Sequence, residues 1–305
     1  MHELAKRLCP PDNEIGFLKQ TARSSVVTGS QILNSRSGSF TVGEPPQKHT
    51  MKNLSLLFLL LLTIVPASAA KIENGEQLVA AMHKKYDGKW YKTLTFVQKN
   101  TSYKPDGTIE NSIWYEAMSS PGKLRVDFDP LTGGEGIMFA DGQQHTFKEG
   151  KLANSRPFLH PLMVLGFDVY TQPVERTVSQ LKELKFDLSQ FHEDTWNGQA
   201  VYVIGAKMGD LKTNQFWVDK KNLLFVRMLQ PAGKNRDRIS ETQFNKYEKA
   251  KGGGWVSTEV VFLLDGKKSW VEEYSDTQAN VPLAGDLFDT AKWMTTDRKY
   301  YVVRK

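Results

Sequence analysis

Histidines are the first residues to consider for metal binding or proton transfer, because imidazole does both near neutral pH. Four histidines follow residue 70: His83, His145, His160 and His192. None of them stands at metal-ligand spacing from another histidine or from a nearby pair of carboxylates. We therefore expect these side chains to be structural or exposed, and we predict neither a metal site nor a cofactor.

Glutamates are the candidates for acid–base catalysis, which needs two carboxyl groups facing one substrate. Glu272 and Glu273 are adjacent in a segment that alternates like a β-strand. Neighbouring strand residues point to opposite faces, so these two cannot form a catalytic pair. Glu259 could face a residue of the next strand, but lysine and arginine neighbours favour ion pairs in solvent.

Glycine-rich segments at residues 133–136 and 252–254 could cradle a phosphate. Neither is followed by a helix start or a Lys-Ser/Thr pair, so both are predicted to be turns. The sequence contains no Gly-x-Ser-x-Gly motif. Its single cysteine, Cys9, excludes disulfides, zinc–cysteine sites and thiol catalysis from the rest of the chain. We predict that the protein is not an enzyme.

The composition is that of an ordinary globular chain. Hydrophobic residues make up 40% and charged residues 24%, which excludes a collagen-like or wholly disordered protein. Residues 71–305 carry 33 basic and 30 acidic side chains. Such a small positive excess is a weak electrostatic footprint, and we expect no nucleic-acid partner.

The segment that begins at Met51 has the three parts of a Sec signal peptide. A lysine follows the methionine, an apolar run extends from Leu54 to Val65, and residues 67–69 fit the small-x-small cleavage pattern. The run is shorter than the roughly 20 apolar residues that a membrane-spanning helix needs. No cysteine follows that could accept a lipid. We expect residues 51–70 to direct export to the periplasm and residues 71–305 to form one domain.

Residues 1–50 are polar and lack periodicity. We interpret them as a disordered or upstream extension that comes from a start codon placed too early. The alternative is a cytoplasmic tail whose apolar run serves as a signal anchor.

The elements that follow predict a mainly β fold with helices. Residues 75–87 place apolar side chains on one helical face. From Leu94 the apolar period changes to two, and about eleven strands follow in two groups. Between the groups, residues 157–185 have helical spacing that Pro161 interrupts. Strands and helices do not alternate, so a large antiparallel sheet curled around the helices is expected.

One face of this sheet is apolar, and two helical segments are too few to cover it tightly. The face is either a filled core or the wall of a cavity, and the whole pattern favours the cavity. The candidate lining residues on strands are Phe96, Leu124, Val126, Phe128, Phe139, Phe147, Phe216 and Phe225. The helical segment adds Phe158, Leu162, Met163 and Leu165.

Several segments, in this order, resemble the LolA/LolB/LppX superfamily of periplasmic lipoprotein carriers. They are TFVQK (95–99), SPGKLRVDFD (120–129), GIMFADGQQHTF (136–147), RPFLHPLMVL (156–165) and QFWVDKKNLLFVRML (215–229). The resemblance implies an incomplete, open antiparallel barrel of about eleven strands with a helical lid over an apolar cavity for acyl chains. Leu124, Val126 and Phe128 then fall at the cavity wall. Phe158, Leu162 and Leu165 fall in the lid.

Ser120 departs from the family pattern. The best-known members carry an arginine before the proline of this turn, and that arginine latches the lid through hydrogen bonds. A serine donates one hydrogen bond where an arginine offers five. We therefore expect lid closure to be weaker or to use other residues.

The resemblance implies a soluble, monomeric periplasmic carrier that shields the acyl chains of lipoproteins between the inner and outer membranes. Acylated lipoproteins or another lipid are its expected cargo, an inner-membrane ABC exporter its donor, and an outer-membrane protein its acceptor. Two alternatives stay open. One is a sensor of stray lipid or lipoprotein, which an extra domain would favour. The other is an exported hydrolase, which needs a convergent nucleophile and base.

Overall fold

The computed structural model describes residues 71–301. The predicted upstream extension (residues 1–50) and signal peptide (residues 51–70) lie outside the described residues. The described chain forms one antiparallel sheet of 13 strands, in the order β6-β5-β4-β3-β2-β1-β13-β12-β11-β10-β9-β8-β7. Because its edges, β6 and β7, do not pair with each other, the sheet is an open barrel. The predicted fold class is confirmed.

The strands form a meander with one long excursion between β6 and β7. They are β1 (Thr93–Tyr103), β2 (Ile109–Ser119), β3 (Lys123–Phe128), β4 (Gly136–Ala140), β5 (Gln143–Lys148), β6 (Lys151–Pro157), β7 (Phe191–Trp196), β8 (Gln199–Ile204), β9 (Gln215–Asp219), β10 (Phe225–Ala232), β11 (Arg238–Lys249), β12 (Trp255–Leu264) and β13 (Lys267–Ala279). Pairing of β1 with β13 joins the two predicted groups of strands.

The two strands beyond the predicted eleven are the edges β6 and β7. Their sequences, KLANSRP and FHEDTW, lack an apolar alternation, and β6 is mostly exposed. An edge strand needs only one hydrogen-bonded neighbour and no buried face, so the hydrophobic pattern gives no sign of it.

Three α-helices lie within the described range: α1 (Gly75–Tyr86), α2 (Pro161–Gly166) and α3 (Val174–Glu183). Asn74 caps α1 by accepting a hydrogen bond from the Gln77 backbone N–H. Pro161 begins α2 rather than interrupting a helix, because the first turn has no use for its missing N–H. Short 3₁₀ turns occur at Leu131–Gly133, Asp168–Tyr170, Thr290–Lys292 and Lys299–Tyr301.

The helices cover one face of the sheet, here called the inner face. The C-terminal segment crosses the other, outer face. There Trp293 stacks on Phe147 with ring centroids 3.9 Å apart. Arg125, wholly buried beside them, pairs with Asp127 at 2.8 Å and donates to the backbone carbonyls of Leu287 and Trp293. This clamp fixes the outer side of β3 to β5, and their inner side bounds the site described next.

Candidate functional site

An open cavity lies between the inner face of the sheet and helix α2. The free space inside it is about 80 Å³, so the cavity is narrow while the lid residues cover it. The strand residues that line it are Phe96, Gln98, Trp114, Glu116, Met118, Leu124, Val126, Ile137, Phe139, Phe244, Val260, Phe262, Glu272 and Tyr274. His160, Leu162, Met163 and Phe167 line it from the side of α2.

The strand register explains this lining. Phe96 on β1 pairs with Glu116 on β2, and Glu116 pairs with Val126 on β3. Side chains alternate between faces along a strand and stay on one face across paired residues. Each such row therefore places residues from three strands on the same side of the sheet. Here that side is the inner face.

The helical cover, here called the lid, comprises residues 158–183. Leu162 and Met163 of α2 face the cavity. Leu165, two residues after Met163 on the helix, points away from it and is fully buried in the packed core. The lid thus covers the cavity with one side of α2 and anchors itself in the core with the other.

Ser120 holds the lid in place through Asp168. Its hydroxyl donates to Asp168 Oδ1 at 2.9 Å and lies 2.6 Å from Thr171 Oγ1. The Gly122 backbone N–H also donates to the Asp168 carboxylate, at 3.1 Å. This set of contacts is here called the latch, and the nearby Arg176 guanidinium favours the ionised form of Asp168. Burial raises the pKa of Asp168 to about 6, and the latch hydrogen bonds partly oppose that rise.

Six of the predicted cavity residues come together at the cavity: Phe96, Leu124, Val126, Phe139, Leu162 and Met163. Phe128 instead stacks on Trp114, with ring centroids 4.8 Å apart. Phe158 lines an adjoining pocket at the end of the sheet.

The structure does not bring the other four predicted residues to the cavity. Phe216, Phe225 and Leu165 are completely buried in the core that the helices fill. Phe147 lies on the outer face against Trp293, because it is one residue out of phase with the inner-facing positions of β5. Its strand is short and polar, so the sequence pattern left its face undetermined.

Sequence reasoning missed the polar part of the cavity. Glu116 and Glu272, here called the acidic pair, lie on β2 and β13 with β1 between them. A signal was available for Glu116: it alternates with Trp114 and Met118, which places all three on one face. Glu272 lies far from Glu116 in the sequence, because the ten strands β3 to β12 separate the two residues along the chain.

Burial governs the protonation of the acidic pair. It raises the pKa of Glu116 well above its ordinary value, and the nearby Glu272 carboxyl raises it further. Burial also raises the pKa of Glu272 to about 7, although Tyr274 and Trp270 donate hydrogen bonds to its carboxylate. His160, also buried against the cavity, has its pKa lowered to about 4 by the same desolvation and is neutral.

The adjoining pocket has about 290 Å³ of free space and lies where the lid meets the turns after β2 and β4. Lys123, Asp168 and Arg176 give it a more polar lining than the cavity has. Across residues 71–301 no group of three histidine, cysteine, aspartate or glutamate side chains could hold a metal ion. Within the same range no helix is long and apolar enough to cross a membrane.

No protein-family model and no curated protein matches the sequence. Among solved structures, an outer membrane lipoprotein-sorting protein domain from Vibrio parahaemolyticus is similar, with a TM-score of 0.50 and 14% identity over 72% of this chain and 97% of that one. A DUF1329 family protein from Desulfovibrio piger gives a TM-score of 0.49 and 15% identity, over 72% of this chain and 97% of that one. A LolA superfamily protein from Nitrosomonas europaea gives 0.44 and 12%, over 69% and 96%. At such identities the likeness concerns the fold alone, and at that level it confirms the resemblance found in the sequence.

Proposed function

We propose that residues 71–305 form a carrier domain that shields the acyl chain of a lipoprotein or another lipid in the periplasm. The observation that carries this proposal is the apolar cavity between an open sheet and a latched lid. The fold shared with the lipoprotein-sorting domain from Vibrio parahaemolyticus supports it. In this proposal the protein binds and releases its cargo without catalysing a reaction.

The energetics of acyl chains explain why such a cavity needs a lid. Each buried methylene is worth about 0.8 kcal/mol, so a palmitoyl chain represents roughly 12 kcal/mol of apolar burial. A carrier must offer a comparable apolar surface when loaded and hide that surface when empty. The lid residues Leu162 and Met163 cover the strand residues of the cavity in the structure. We infer that an entering chain replaces these lid contacts with its own.

Cargo with several acyl chains needs more room than the closed cavity provides. The latch at Ser120 and Asp168 consists of hydrogen bonds that are each worth about 1 kcal/mol net. Cargo binding can therefore supply enough free energy to break the latch and move the lid. Export by the signal peptide, an inner-membrane ABC exporter as donor and an outer-membrane acceptor complete the proposal.

Native mass spectrometry with lipid extraction on protein purified from the periplasm tests this function. We expect the wild-type protein to retain an acylated ligand and to bind an uncharged fluorescent acyl ester. Phe262→Glu places a charge on the cavity wall and should abolish both. Leu263→Glu is the matched control, because Leu263 is the next residue of β12 and does not line the cavity.

A wild-type protein that is empty and fails to take up the fluorescent ester contradicts the carrier proposal. The same conclusion follows if both variants lose the ligand equally while circular dichroism shows that both are folded. The inner face would then be a loosely filled core, and a protein partner rather than a lipid would be the ligand to look for.

A further inference from the structure

The acidic pair gives the cavity a charge character that acyl-chain binding alone does not require. Glu116 and Glu272 both line the cavity, and each is at least nine-tenths buried. No lysine or arginine is among the lining residues, and the only other base there, His160, is neutral. An anionic headgroup in this cavity would meet carboxyl groups and no compensating cation.

Glu116 has an unused capacity for hydrogen bonding. Glu272 is satisfied by the Trp270 indole N–H at 3.2 Å and by the Tyr274 hydroxyl at 2.8 Å. Within the described part of the chain, by contrast, no side chain or backbone group donates to the Glu116 carboxyl. Glu116 borders the free space of the cavity, where it can accept a hydrogen bond or pair with a charge. A ligand group in the cavity can satisfy it.

Aromatic side chains line the cavity on the same strand as this carboxyl and on the strand paired with it. Phe96 is the residue paired with Glu116 across β1 and β2, and it stacks on Tyr274 with ring centroids 4.4 Å apart. Trp114 lies two residues before Glu116 on the same face. Aromatic faces attract cations through their quadrupole, and a carboxylate among aromatic rings is the combination that recognises alkylammonium groups.

We propose that the cavity takes an amphiphile with an alkylammonium group on a long apolar chain, and that Glu116 is the charge partner of that group. This inference rests on the proposed lipid-binding function and adds the chemistry of the polar group. In the empty cavity, burial and the nearby Glu272 carboxyl raise the pKa of Glu116 and so favour its protonated form. An ammonium at its carboxyl favours the ionised form, because an opposite charge at close range offsets the cost of desolvation. The chain of the ligand then lies along the apolar wall toward Leu124 and Phe139.

Competition against the uncharged fluorescent acyl ester tests the inference. The competitors are decyltrimethylammonium, decanol and decanoate, which share a chain length and differ in charge, each below its micelle concentration. We expect the ammonium compound to displace the ester at a concentration at least about tenfold lower than decanol does, and decanoate to be the weakest of the three.

The variant that isolates the carboxyl is Glu116→Gln, which keeps the size of the side chain and removes its charge. It should bring the ammonium compound to the level of decanol while the fluorescent ester still binds. Glu273→Gln is the matched control, since Glu273 lies on β13 with its side chain half-exposed and paired with Lys99. This control should keep the preference of the wild-type protein.

Two results overturn the inference and leave the carrier proposal intact. The first is displacement by decanol or decanoate at the same concentration as the ammonium compound. The second is an ammonium preference that persists in Glu116→Gln. If the fluorescent ester does not bind to the wild-type protein at all, the carrier proposal fails and the inference fails with it.

Discussion

The two halves of the inner face have the same alternating pattern of apolar residues, but the structure covers them differently. Phe216 and Phe225, on β9 and β10, are completely buried under the helices. Leu124 and Phe139, on β3 and β4, border a cavity. Both pairs alternate with residues of the outer face along short strands. The difference teaches that a pattern of alternating apolar residues specifies a face that needs covering, but not what covers it.

The number of helical side chains over each half explains the difference. Leu78 and Met82 of α1 and Leu181 of α3 all pack into the core over β8 to β11. Only α2, a helix of 6 residues, faces the cavity half. The first half is therefore filled by the chain itself. The second half is covered less completely and keeps a narrow cavity.

Truncation of an aromatic ring in each half should give the largest contrast. Phe225→Ala removes a completely buried ring from the packed half and should lower the free energy of unfolding by about 3–5 kcal/mol. Phe262→Ala removes a partly exposed ring from the cavity wall and should cost about 1 kcal/mol or less, because it enlarges an existing space. Urea denaturation followed by circular dichroism measures both. Equal losses would show that the cavity half is as tightly packed as the other.

The pH dependence of stability should report the acidic pair in the cavity half. Glu272 has an ordinary pKa of 4.5, and burial raises it to about 7 in the folded protein. The folded state therefore binds more protons than the unfolded state between these values, and stability falls as pH rises through them. Relative to the wild-type protein, the double variant E116Q/E272Q should gain at least about 3 kcal/mol between pH 4.5 and pH 7 from the loss of Glu272 alone, and the loss of Glu116 acts in the same direction.

The difference between wild type and variant is the quantity to measure, because other groups titrate in the same range. Asp168, with a raised pKa of about 6, also lowers stability as pH rises. His160, with its pKa lowered to about 4, acts in the opposite direction. Both are present in wild type and double variant and cancel in the comparison. A difference that does not change with pH would mean that the acidic pair is solvated rather than buried.

Removal of the latch hydroxyl should have a small effect on stability, and that effect should be local. Ser120→Ala deletes the hydrogen bond to Asp168 and the contact with Thr171, and should cost about 1 kcal/mol. Because the latch joins the lid to the turn after β2, hydrogen exchange should accelerate in residues 161–171. Exchange in β9 and β10, which belong to the packed half, serves as the internal reference. Uniform acceleration across the chain would show that the hydroxyl supports the whole fold rather than the lid.

Much of the architecture was predictable because strong periodicity is a local signal. The helical face shared by Leu78 and Met82 predicted α1. The alternation of Leu124 and Val126 with charged residues predicted β3 and its orientation. The edge strands β6 and β7 could not be predicted from periodicity, because most of their side chains are exposed or only half-buried on both faces. The site was predictable only in part: Phe139 borders the cavity, whereas Phe147, on the next strand, lies on the outer face.

The sequence by itself determined that an antiparallel sheet presents an apolar face to helices, because alternation and helical spacing are properties of neighbouring residues. Only the tertiary structure decided where that face is filled and where it is open. Glu116 and Glu272 show the physical reason. They lie far apart in the chain and become neighbours only because β1 lies between β2 and β13 in the sheet. No local pattern contains that pairing, and the low-dielectric cavity that shifts the pKa values of these glutamates exists only once the sheet and lid have assembled.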